Sequence, residues 1–147
     1  MHGQGFAAKV KCTTPMSQQQ ALIEESLERL VEAAGDPAPA VYARLFALYP
    51  ETEALFVRDT DGAIRGEMLT KTLECLLDLA GPNTYAANFI ACEMVNHEGL
   101  GVPREVFARF YAVMVETFAE LGGPAWTAGY GGAWAGLVAR IQAVTDA

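Results

Sequence analysis

NHEGLGVPREVFARFYAVMVETF, residues 96–118, places a histidine just before two closely spaced glycines and a proline. Pro103 suits the first turn of a helix, where its fixed φ is already helical and its missing N–H leaves nothing unpaired. Downstream, Phe107, Phe110, Tyr111, Met114 and Phe118 recur at spacings of three and four, which puts them on one broad apolar face. Upstream, Thr84 to His97 reads as a shorter helix of about fourteen residues. His97 is the only histidine besides His2. It therefore sits where a helix end meets the core, with Gly99 and Gly101 letting the chain turn back.

The same 3.6-residue period runs outward in both directions. From Ser17, a plausible helix cap, Leu22, Ile23, Leu27, Leu30 and Val31 share a face, and Gly35–Asp36–Pro37 ends the run. A second helix begins near Pro39 with Val41, Tyr42, Leu45, Phe46 and Tyr49 on one side, before Pro50 opens the turn PETEALF. After Gly62 a long helix carries Ile64, Met68, Leu69, Leu73, Leu76, Leu77 and Leu79, and Gly81–Pro82–Asn83 stops it. Beyond Gly122–Gly123–Pro124, a last helix turns Trp126, Tyr130, Trp134, Leu137, Val138, Ile141 and Val144 inward. No stretch alternates with period two. The expectation is an all-α fold of six or seven helices, with residues 1–16 a flexible N-terminal extension and residues 17–147 the folded domain.

Composition narrows the function classes. The 147 residues are 52% hydrophobic, enough to bury a core and a pocket within one domain. Ten Lys+Arg against eighteen Asp+Glu give a net charge of −8. That leaves no basic face for nucleic acid and no attraction to an anionic membrane. No apolar run nears the roughly 18 residues of a membrane span, and the N-terminus lacks a signal-peptide pattern. Three cysteines, Cys12, Cys75 and Cys92, without a C-x-x-C pair indicate neither a disulfide framework nor a zinc site. Free thiols suit a reducing, cytoplasmic setting. Cys75 and Cys92 lie in apolar runs and read as core residues.

Three segments together resemble the globin family, in particular the haem domain of bacterial flavohaemoglobins and single-domain bacterial globins. VYARLFALYPETEALF (41–56) is similar to the aromatic-rich helix that runs into a proline turn and ends on a phenylalanine. NHEGLGVPREVFARFYAVMVETF (96–118) is similar to the proximal histidine, its short link and the long helix after it. AWAGLVARI (133–141) is similar to the final globin helix. The resemblance implies a globin-like fold around haem b (iron protoporphyrin IX), with His97 the metal ligand. It also implies that Phe56 wedges against the porphyrin and that Tyr42 points at a bound gas. With Leu69 over the iron, Arg65 one turn earlier takes the distal position; a one-residue gap puts Gly66 there instead. Met94, Val102 and Phe107 complete the expected cofactor contacts, with Phe89, Leu100 and Phe110 as further apolar lining.

The residue chemistry fits these roles. Neutral imidazole is a strong iron donor, provided its other ring nitrogen is oriented by an acceptor such as a backbone carbonyl one turn back. Glu93 and Met94 stand in that position relative to His97. A phenol at Tyr42 supplies one hydrogen bond to a polarised ligand. An inward Arg65 adds a charge-assisted donor or clamps a propionate. Relative to flavohaemoglobins, the position of a supporting tyrosine reads Phe107. The sequence reaches the position of the supporting glutamate at its end, where Asp146 is the nearest acid. The expectation is a domain without a reductase of its own, so that turnover would need a separate electron source. The expectation is reversible binding of O2, NO or CO for binding, transfer or sensing, as a monomer or homodimer. The alternatives are a haem-less globin-fold regulatory or interaction module, or a nitric oxide dioxygenase served by a separate reductase.

Overall fold

Glycine and proline cut the chain into helices at the places where the backbone must leave the helical basin. The computed structural model describes residues 14–147, with side chains described from residue 18 onward. Among these residues six α-helices and two 3₁₀ segments occur, and no strand. They are α1 (Thr14–Ala34), α2 (Ala38–Leu48), the 3₁₀ segment Pro50–Phe56, α3 (Ala63–Ala80), α4 (Ala86–Gly99), α5 (Arg104–Gly122), the 3₁₀ turn Gly123–Ala125 and α6 (Ala128–Thr145). Ser17, expected at the head of the first helix, lies within the described span of α1. Residues 1–13, with Cys12 and most of the expected flexible extension, lie outside the described residues.

Helix α1 packs on α3, α5 and α6, while α4 packs on α3, α5 and α6. The core between them is led by Ile23, Leu30, Phe118, Trp134, Leu137 and Ile141, each at most 1% exposed. Trp134 carries its polar atom into this core and satisfies it. Its indole Nε1 donates to the hydroxyl of buried Ser26 at 2.8 Å, and that hydroxyl donates to the Ile23 carbonyl at 2.7 Å. Phe118 meets the Trp134 ring edge-on at 5.7 Å. The buried stripe of α1 is therefore Ile23, Ser26 and Leu30, and Val31, expected inward, is exposed. Trp126 precedes α6 and stacks on Trp134 at 6.4 Å.

Two aspartates orient the helices that frame the site. Asp59 accepts from the N–H groups of Ile64 (3.0 Å) and Arg65 (2.9 Å), satisfying the first turn of α3. Asp78, near the end of α3, accepts from the N–H groups of Thr84, Tyr85 and Ala86 at 3.0–3.2 Å, and from the Thr84 hydroxyl at 2.9 Å. The end of one helix thus holds the start of the next, which fixes where α4 points. Both carboxyls are pushed up by burial. The donated hydrogen bonds outweigh that and hold each below its ordinary value.

Helix α4 ends as tightly as it begins. The His97 carbonyl accepts from Leu100 (3.0 Å) and Val102 (2.9 Å). Gly99 is still helical. Gly101, with φ at 100°, makes the turn, in a region closed to residues with a Cβ. Pro103 follows in extended geometry and opens α5.

Candidate functional site

A cavity of about 410 Å³ opens between α2, the 3₁₀ segment Pro50–Phe56, α3, α4 and α5. That volume lies within the range of small-ligand and cofactor sites. His97, Tyr42, Phe56, Val102 and Phe107 all line it, as do Phe89, Leu100 and Phe110. Five helical segments thus bring together residues spread over more than sixty positions of sequence.

His97 enters from the last turn of α4, with a quarter of its side chain exposed. Its Nδ1 lies 2.7 Å from the Glu93 carbonyl one turn back, so Nδ1–H donates there. The other ring nitrogen, Nε2, has no hydrogen-bond partner among the described residues. Phe107 holds the ring in place from α5, 5.1 Å between centroids.

Tyr42 enters from α2. It is 2% exposed and its ring sits among Phe56 (5.5 Å), Phe110 (5.7 Å) and Phe46 (6.1 Å). Its hydroxyl makes no hydrogen bond to the described residues. Burial pushes its phenol well above the ordinary value, so it is a proton-bearing donor at every physiological pH. Tyr111, one turn after Phe107, also lines the cavity, and burial raises its phenol likewise. A mostly apolar cavity thus receives one imidazole nitrogen and phenolic hydroxyls, none of them hydrogen-bonded to the described residues.

Three expected site residues face elsewhere. Arg65 donates from Nε to the Asp59 carboxylate at 2.9 Å and from its terminal nitrogen to the Asp59 carbonyl at 2.8 Å, which turns the guanidinium away from the cavity. Leu69 is 2% exposed and packs into the core instead of lining the cavity. Met94, 4% exposed, does the same from α4. Gly66, the other distal candidate, does not line the cavity either. The cavity-facing stripe of α3 falls one residue earlier, at Ile64, Met68, Lys71, Thr72, Cys75 and Leu76. Met68 stands where Leu69 was expected, and Ile64, one turn before it, takes the place sought for Arg65 or Gly66. Leu69 and Leu79 lie on the adjoining apolar face of the same helix and pack into the core, so Leu69, which the resemblance sets over the iron, faces away from the cavity. Cys75 is buried beside the cavity and its thiol is pushed up to about 11 by burial. Cys92, expected in the core, is exposed.

The open edge has its own chemistry. Leu55, Ile64, Phe89 and Leu100 line the cavity yet are exposed, and Arg58 and Lys71 stand at the same edge with their cations in solvent. A flat apolar ligand carrying carboxylates at one edge matches this arrangement. Among the described residues, no cluster of three His, Cys, Asp or Glu side chains is placed to hold a bare metal ion. Nor is any helix long and apolar enough to cross a membrane.

An all-α domain with one histidine presented to an apolar cavity from a helix end defines a class of pocket-bearing helical proteins. Within it the chain belongs to the globin family, whose family model matches residues 39–145. A search of the curated proteins found no match.

Proposed function

We propose that this globin binds haem b and reversibly binds a diatomic gas, O2, NO or CO. The observation that carries the reading is the pairing of His97 and Tyr42 in one cavity: an imidazole with Nδ1 already committed and Nε2 free, and a buried phenol without a protein partner. Membership in a family that binds haem and small gases supports it. The donor set fits the group. His97 would hold the iron, Phe56, Met68, Val102 and Phe107 would pack on the porphyrin, and Arg58 and Lys71 would meet its propionates. Bound haem supplies an open iron coordination position for a gas. The protein's part is to orient the imidazole through Glu93, exclude water with its apolar wall, and donate one hydrogen bond from Tyr42.

With Ile64 in place of a polar residue, Tyr42 supplies the hydroxyl donor from α2 without help from that position of α3. This arrangement favours simple binding, transfer or sensing over turnover. A nitric oxide dioxygenase served by a separate reductase is the enzymatic alternative, distinguished by steady NO consumption when an electron source is added. The haem-less module is favoured by Ile64 and Phe107, both apolar where relatives of the bacterial kind carry polar groups. The test is uptake of haem by the purified chain. We expect a Soret band, a shift of that band with CO, and a higher melting temperature, since a ligand of the native state alone must stabilise it. A flat titration with no gain in melting temperature would remove the haem reading in favour of the module.

A further inference from the structure

We infer that Glu93, oriented by Asn96, is the residue that sets the electron-donating strength of His97, a positioning role assembled within α4 itself. The inference rests on the haem-bound reading above. Phe107, which packs on the His97 ring at 5.1 Å, offers it no hydroxyl. The structure supplies a different group in its place. Glu93 lies one turn before His97 on the same helix, and sets an accepting carbonyl and a nearby carboxylate charge beside one nitrogen. Its carbonyl is 2.7 Å from Nδ1, and its carboxylate Oε2 is 3.7 Å from the same atom. The other carboxylate oxygen, Oε1, accepts from Asn96 Nδ2 at 3.3 Å. Asn96 therefore holds one oxygen while the other faces the ring. Glu93 also lines the cavity, with a third of its side chain exposed.

The physical consequence follows from charge and distance. A carbonyl alone fixes the tautomer and the ring's rotation. A carboxylate beside the same N–H adds negative charge next to the imidazole. It favours positive charge on the ring and so raises the basicity of Nε2. A more basic donor stabilises the oxidised iron relative to the reduced iron. Removing a residue that supports a ligand in this way typically costs about ten- to a hundredfold in metal affinity or activity, and an effect of that order is expected on the iron's redox equilibrium. The lower figure applies here, because the backbone carbonyl survives any side-chain substitution.

Glu98 provides the internal control. It is the next residue to His97 and bears the same charge, but its carboxylate accepts from Arg104 Nε at 3.1 Å on the surface. Glu93→Gln and Glu98→Gln alter net charge equally and differ only in what the carboxylate faces.

The experiment uses the full chain reconstituted with haem, with Soret uptake and helical content checked first in the wild type. Two quantities are then read: the midpoint potential of the iron, and the iron–histidine stretching frequency of the reduced, gas-free protein. Glu93→Gln is expected to shift the reduced-to-oxidised ratio about tenfold toward reduced, near 59 mV for one electron, and to lower the stretching frequency. Asn96→Ala is expected to move both in the same direction by less, and Glu98→Gln to leave both in place. Unchanged potential and frequency in Glu93→Gln, with haem bound as in the wild type, would overturn the inference while the haem reading stands. An equal shift in Glu98→Gln would also overturn it, since net charge alone would then account for the effect. Failure of the wild type to take up haem would remove both readings at once, and is visible at the first step.

Discussion

Tyr42→Phe removes one oxygen atom and leaves everything around it. The ring stays among Phe46, Phe56 and Phe110, at the same 5.5–6.1 Å centroid separations. The hydroxyl has no partner among the described residues, so its loss breaks no protein hydrogen bond. The empty protein should therefore keep its stability to within about 1 kcal/mol. The gas-bound protein should not be indifferent. A net hydrogen bond is worth about 0.5–1.5 kcal/mol. At about 1.4 kcal/mol per decade, its loss speeds O2 release about two- to twelvefold. The assay is rapid mixing of the O2-bound protein with excess CO, following displacement by absorbance, beside thermal melts of the haem-free forms. An O2 release rate equal to or slower than wild type, with haem bound and the fold intact, would refute the role given to Tyr42. A loss of several kcal/mol in the haem-free variant would refute the claim that the hydroxyl is unspent.

Ile64→Gln places an amide on the cavity-facing stripe, one turn before Met68, and should slow O2 release several-fold by adding a second donor; stopped-flow displacement checks it. Phe118→Ala empties a fully buried site against Trp134 and should destabilise the fold by about 3–5 kcal/mol, read by denaturant unfolding. Gly101→Ala meets no neighbouring atom, but its φ of 100° is closed to alanine. The melting temperature should fall, and the proximal link should loosen enough to weaken haem retention. Asp59 and Asp78 have lowered values in the folded state, so the stability they contribute is fully present above their ordinary 3.8 and is lost as pH falls through the lowered ones. Melting temperature should be level above about pH 5 and drop below about pH 4, and Asp78→Asn should flatten that drop.

The helices were legible because their ends are written in glycine and proline. Gly35, Pro50, Gly62, Gly81 and Gly123 each fall at or beside a helix boundary in the structure. His97 stood out for a related reason, as the lone histidine before such a boundary. The register of α3 was not legible. That helix carries two adjoining apolar faces, and only the packing of Leu69 and Leu79 into the core decides that Met68 faces the cavity. Arg65 misled for a different reason: its guanidinium is captured by Asp59, six residues earlier, through a turn whose path no periodicity encodes. Ser26 escaped notice because a hydroxyl reads as surface, while its partner Trp134 lies far along the chain. The Glu93–His97 spacing of four was visible in the sequence. The sequence did not reveal that the Glu93 carboxylate stands 3.7 Å from the ring nitrogen with its other oxygen on Asn96.

The central claim is that His97 meets the iron, and a cavity made at that residue tests it most directly. His97→Gly, mixed with haem, should lose the wild-type Soret spectrum of the reduced and CO-bound forms. Added imidazole should restore it by occupying the vacated space. A His97→Gly protein that bound haem with the wild-type spectrum and affinity, and was indifferent to imidazole, would contradict the account.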